Sequence, residues 1–335
     1  MFFTRPQHII KTVTNPPRTL RGAPNRKLKI MLQKTLAKEV ALTGVGVHSG
    51  VETFLKILPA PANSGITFVR TDVTDRENTI KGLYSNVKET TLCTVIRNDA
   101  GVSVGTIEHI MAALRACDID NAVVELDGPE IPIMDGSAFD FVEAIRSFGT
   151  QEQNYSKKFI KVLKKVEVKD GSKYISIEPL TKDLIIDFEI VYKNPLIRTR
   201  RKEFKLSNGN LTSIYNSKTF CLYEDIDQIK SQGLAKGGSL ENAIVVKENK
   251  ILNEDGLRYR DEFVNHKILD CLGDLMLSGH RIFGHIKTSQ GGHQLTSLLL
   301  KKFFSDKSNW AFEILEEKQK DPKDSTYIRP IAVNA

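Results

Sequence analysis

In the segment DEFVNHKILDCLGDLML, His266 and Asp270 stand four residues apart, so on a helix both side chains lie on one face and can hold a single ion together. Asp274 follows one turn further along that face, placed to orient a neighbour. Alone, a His and an Asp at this spacing are more often an ordinary wetted helix face. Two other segments supply company. His109 follows Glu108 in TIEHIMAAL; adjacent helical residues point about 100° apart, so one can ligate a metal while the other addresses the water beside it. His293 stands in QGGHQL, where two glycines let the backbone approach a ligand, although a plain helix start reads the same way. Two imidazoles and a carboxylate with an open position describe a hydrolytic zinc site.

The surrounding text has the elements to position these groups. After Met31 it reads as short strands, TLAKEVALTG, VETFLKILPA, GITFVRT and TLCTVIRN, punctuated by Gly, Asn and Pro. The period then changes to a helix over 107–117, a strand over 121–126 and an amphipathic helix over 138–148. Residues 31–150 are therefore expected as one domain, and the polar stretch 151–158 as a linker. A second domain over 159–310 opens on a meander, FIKVLKKVEV, KYISIEPL and LIIDFEIVY, with a turn at Asp170-Gly171. Helices follow at 223–232, 262–277 and 293–305, with strands ENAIVV and RIFGHIK between them, and 311–335 remains as a tail. The fold class is α+β. EHIMAALRACDIDNAVVEL and NHKILDCLGDLMLSGHRIFGHI share an order of His, apolar helix, tight turn and strand, which suggests a duplication as readily as chance.

Composition narrows the function. A chain of 335 residues, 40% hydrophobic and 27% charged, can bury two cores. Its net charge of +7 sits in residues 1–30, which carry seven basic residues and no acidic one, so Met31–Ala335 is balanced and nucleic acid is not an expected partner. That leader has the composition of an organelle transit peptide, but Met31 ahead of LQKTLAKEV also reads as an internal start, with 1–30 extraneous or disordered. Cys93, Cys117, Cys221 and Cys271 lie far apart without a CxxC pair, which argues for a reducing, cytoplasmic setting. No apolar run approaches the roughly 20 residues of a membrane span.

Together the motifs resemble the UDP-3-O-acyl-N-acetylglucosamine deacetylase family of lipid A synthesis. The similarity is carried by TGVGVHSG (43–50), TIEHIMAAL (106–114), PEIPIMDGSA (129–138), KTFCL (218–222), GLAKGGSLENAIVV (233–246), LNEDGLRYRDEFVNHKILDCLGDL (252–275) and GGHQL (291–295). It implies two domains of similar topology, each a sheet layered against two helices, with the active site at their interface. It implies one Zn²⁺ per chain on His109, His266 and Asp270; Fe²⁺ suits the same N, N, O set. Glu108 is implied as the base acting on water, His293 as the cationic or acid histidine oriented by Asp274, and Thr219 as a hydroxyl that stabilises the oxyanion. Lys267 is implied to meet phosphate or sugar oxygens, and an insertion over 220–247 to wall an acyl passage with Phe220, Leu222, Ile226, Leu234, Ala243 and Val245. Further substrate contacts implied are His48, Leu92, Cys93, Thr94, Tyr192, Asp225 and Gly238.

Departures from the family pattern leave the metal ligands and the base intact. Lys218, Cys221 and Gly291 replace the usual Arg, Gly and Ser, and Gln290 replaces a lysine near the diphosphate, which shifts phosphate binding toward Lys267 and Lys173. The resemblance implies an acylated UDP-amino-sugar as the substrate of a monomeric enzyme, with at most transient contact with a membrane surface. A homologue that had lost catalysis would lack one of Glu108, His109, His266, Asp270 or His293, and all five are present.

Overall fold

Alternating apolar residues in 40–59 build the first sheet of the computed structural model, which describes residues 29–317 apart from position 208. All but the last two residues of the leader, and most of the tail, lie outside the described residues. Ile30–Leu315 cluster as one unit. In chain order the first half holds β1 (Leu32–Leu36), β2 (Val40–Val45), β3 (Glu52–Pro59), β4 (Ile66–Arg70), β5 (Thr79–Lys81), β6 (Val87–Glu89), β7 (Val95–Arg97), β8 (Ser103–Val104), α1 (Glu108–Ala116), β9 (Ala122–Leu126) and α2 (Phe139–Phe148). Its main sheet has the order β2-β3-β9-β4-β5, and β6-β7-β8 form a small antiparallel sheet.

The second half holds β10 (Thr150–Ser156), β11 (Lys158–Val162), β12 (Val166–Asp170), β13 (Lys173–Glu178), β14 (Leu184–Ile190), β15 (Arg200–Lys205), α3 (Leu211–Tyr215), β16 (Phe220–Leu222), α4 (Ile226–Ser231), β17 (Ile244–Lys247), β18 (Lys250–Ile251), α5 (Glu262–Leu275), β19 (Arg281–Ser289), α6 (His293–Ser305) and β20 (Trp310–Ile314). The sheet runs β12-β13-β19-β11-β20, with β14 also on β19 and β15 on β14. The expected turn closes β12 on β13, with Gly171 at φ +59° between the paired residues Asp170 and Lys173. Mixed sheets with a minority of helix make the fold α+β, as the sequence implies.

The shared helix–turn–strand order becomes a shared topology. β9, which follows α1, is antiparallel to β3 and parallel to β4; β19, which follows α5, is antiparallel to β13 and parallel to β14. α5 and α6 pack on the second sheet, and α1 packs against α5. Seven of the nine residues of α1 and thirteen of the fourteen of α5 are buried, the mark of helices covered on all sides. Gly273 permits their crossing: a Cβ there would collide with the Glu108 carbonyl.

Several local readings change. Residues 151–158 are no open linker, because Thr150–Ser156 pairs antiparallel with β1. The boundary at 310 falls at a strand, because Trp310–Ile314 pairs with β11 as the sheet edge. TLCTVIRN gives a strand only at Val95–Arg97; the residues before it form a loop with Leu92 at φ +62°. No helix of the described residues is long and apolar enough to cross a membrane.

Candidate active site

The α1–α5 crossing brings the sequence-distant candidates together. His109 comes from the first turn of α1, and His266 and Asp270 from consecutive turns of α5. Asp270 Oδ1 lies 3.3 Å from His266 Nε2 and 3.6 Å from His109 Nε2. The two rings stand edge to face, 5.1 Å apart. The other nitrogen of His266, Nδ1, is 3.0 Å from the Ser217 carbonyl, which only accepts, so Nδ1 carries the proton and Nε2 presents a lone pair to Asp270. Burial pushes the His266 pKa down to about 4, which keeps the ring neutral.

Asp270 Oδ1 is buried and accepts no hydrogen bond from any of the described residues. Two lone-pair atoms 3.3 Å apart in a water-poor interior repel unless a proton or a cation lies between them. Burial would raise the Asp270 carboxyl, but the surrounding positive charge, with the Lys267 ammonium 2.7 Å from Oδ2, outweighs it and holds the acid well below its usual range. Ligand atoms of His109, His266 and Asp270 all lie within 4.8 Å of one another. These residues fit a divalent cation. A second His/Asp/Glu cluster, Asp187, Glu203 and His285, does not invite one, because Arg201 already grips both carboxylate oxygens of Asp187.

Beside this group lies a second one. His293, first residue of α6, places Nδ1 2.9 Å from Asp274 Oδ2 and Nε2 3.7 Å from Glu108 Oε1. Burial opposes charge on this ring, yet Asp274 and Glu108 outweigh it and raise its pKa from 6.5 to about 9. Burial likewise raises the Glu108 carboxyl, against the pull of His293 and His109. Thr94 lies between the two, its N–H donating to Glu108 Oε2 at 3.0 Å and its hydroxyl to Asp274 Oδ1 at 2.7 Å. The pair thus offers a proton acceptor and a proton-bearing imidazole on one side of the cation cluster.

Both groups open into a cavity of about 500 Å³. Of the residues singled out in the sequence, His48, Leu92, Glu108, His109, Tyr192, Thr219, Phe220, Gly238, His266, Lys267, Asp270 and His293 line it. Asp274 stands behind His293. Cys93 and Thr94 are buried behind the wall, Leu222 packs on the core, and Asp225 and Lys173 are exposed and do not reach the cavity. From the insertion, Ile226, Ala243 and Val245 form wall and Leu234 does not. Phe220, at the wall, packs edge-on against Phe263 at 4.9 Å and Tyr192 at 5.6 Å.

Sequence reasoning missed Val47, Ile133, Tyr223, Ile229, Leu240 and Leu252, which complete the apolar wall. Their apolar character was visible, but core and cavity wall are the same text. It also missed two buried carboxylates that hold the loops. Glu262 accepts from the amides of Lys218 and Arg258, which pins the segment that carries Thr219 into β16. Glu130 accepts from the amides of His48 and Ser49 and from the hydroxyl of Thr106, a β-branched residue held at φ +56° two positions before Glu108. Strained backbone at Leu92, Thr106 and Gln290 rings the site.

The chain is similar to known proteins. The UDP-3-O-acyl N-acetylglycosamine deacetylase family matches residues 33–305. Among curated relatives, the UDP-3-O-acyl-N-acetylglucosamine deacetylase of Shewanella pealeana is 43% identical over 296 residues, 88% of this chain and 96% of its own length. That of Mannheimia succiniciproducens is 41% identical over 294 residues, covering 87% and 96%. With the match spanning both halves and every element that carries the cluster, this chain is an enzyme of the UDP-3-O-acyl N-acetylglycosamine deacetylase family.

Proposed function

We propose that the chain hydrolyses the acetamide of a UDP-linked, 3-O-acylated N-acetylglucosamine, giving the free amine and acetate in lipid A synthesis, with zinc on His109, His266 and Asp270. The observation that carries this reading is the buried Asp270 Oδ1, without a hydrogen-bond partner among the described residues, facing two imidazoles in the wall of a largely apolar cavity. When bound there, zinc supplies a Lewis acid that polarises an amide carbonyl and acidifies a neighbouring water; iron(II) is the alternative ion for the same donor set.

The chain's own residues supply the rest. Glu108 accepts the proton of the attacking water as its oxygen bonds to the acetyl carbon. The His293 imidazolium and the Thr219 hydroxyl, both at the cavity wall, face the oxyanion that develops. Glu108 then returns its proton to the glucosamine nitrogen as the C–N bond breaks, so the base ends as it began. Lys267 meets oxygens of the sugar or diphosphate, and the apolar wall residues, Ile226, Ala243 and Val245 among them, take the acyl chain. The free cysteines among the described residues suit a cytoplasmic enzyme.

The test is amine release by the full chain from the acylated UDP-sugar, with metal analysis of the same sample. We expect turnover that follows metal content at about one ion per chain, and little on the sugar without its acyl chain. A metal-replete chain that releases no amine from any acylated UDP-sugar would overturn the proposal.

A further inference from the structure

Thr94 is 1% exposed and lies outside the cavity, so it has no direct access to a ligand. Its donors are nevertheless committed to the two groups proposed to move protons. The N–H holds Glu108 Oε2, and the hydroxyl holds Asp274 Oδ1 while lying 3.1 Å from His293 Nδ1. Asp274 spends its other oxygen on His293. Its Oδ1 has no further donor among the described residues, and a carboxylate torsion is soft, so without that hydroxyl the group can turn. Four separate elements meet here: the loop before β7, α1, α5 and the start of α6.

We infer that Thr94 is a positioning residue, which fixes the base Glu108 and the Asp274–His293 pair relative to one another through one backbone amide and one hydroxyl. A substrate contact would raise KM, whereas a positioning role acts on kcat with binding intact. The inference rests on the deacetylation proposed above.

Thr94→Val keeps bulk and backbone and removes the hydroxyl. We expect kcat to fall about ten- to a hundredfold, the range for losing a partner that orients a reacting group, with KM and metal content near wild type. Thr94→Ser should restore most of the rate. In an Asp274→Asn background Thr94→Val should cost little more, because both changes break one connection. If Thr94→Val does not fold, Thr94→Cys, with only a weak S–H donor, carries the same comparison. Wild-type kcat in the variant, a loss confined to KM, or full additivity with Asp274→Asn overturns the assignment. A wild-type chain without turnover overturns the reaction instead, so the two failures are distinguishable.

Discussion

At the residue scale, the site is a set of buried polar atoms that make sense only with partners supplied from outside. Asp270 Oδ1 and His109 Nδ1 have none among the described residues. His266→Ala or Asp270→Ala should therefore lose bound metal, while Glu108→Gln should keep it and lose most turnover; stoichiometric metal in both ligand variants, read by elemental analysis, would refute the ligand set. The sign of the pH effect follows from His293. Its pKa is raised to about 9 despite burial, chiefly by Asp274, so the proton is present at neutral pH and is lost on the alkaline side. Asp274→Asn removes that support, so the alkaline limb of kcat/KM should move toward acid and the rate should drop, with metal retained. A bound dication pulls the pKa the other way, so the shift on mutation carries the information. Of the proposed ligand set, His266 and Asp270 were legible as a pair because helical spacing makes them neighbours on one face, whereas His109 joined them through the resemblance. Thr94 was legible only as a substrate contact, because its hydrogen bond to Asp274 spans 180 positions and no local pattern announces it.

At the element scale, two buried helices do the positioning, and their closeness depends on one missing side chain. At Gly273 an added Cβ meets the carbonyl of Glu108, the residue whose side chain is the proposed base. Gly273→Ala should push α1 from α5, costing about 1–3 kcal/mol as overpacking does. Thermal unfolding should register that loss, and kcat should fall by more than stability alone requires; an alanine variant with wild-type melting and turnover would show that the helices have slack. α1, α5 and α6 were legible because their apolar residues recur at helical spacing between clear turns. β15, Arg200–Lys205, was not, since RRKEFK carries no strand pattern and is a strand only because it pairs with β14 at the sheet edge, where charge is tolerated. The strand at Thr150–Ser156 was hidden likewise: a polar segment pairs with β1, and a polar edge strand reads as a linker.

At the scale of the whole molecule, one cavity is assembled from residues between Val47 and His293, so no segment owns it and its length and width are properties of the fold. Its apolar lining includes Ile226, Ile229, Ala243, Val245, Leu240 and Leu252, with Cys221 among them. Burying one methylene contributes about 0.8 kcal/mol, so removing two from a fully seated acyl chain should cost about 1.6 kcal/mol, or roughly fifteenfold in kcat/KM. Such steps should continue while the chain still reaches the wall and should flatten once it no longer does. The far limit is set by steric fit: a chain longer than the passage must leave methylenes in water or strain the wall, and the gain per carbon should vanish. Cys221→Gly widens the passage without touching the cation cluster, so it should move that upper limit to longer chains while leaving metal content unchanged. The measurement is a series of acylated UDP-sugars of increasing chain length, run in parallel on wild type and variant. Identical chain-length profiles would mean that the thiol at 221 does not set the width of the route, and flat profiles in both would mean that the acyl chain does not enter this cavity at all.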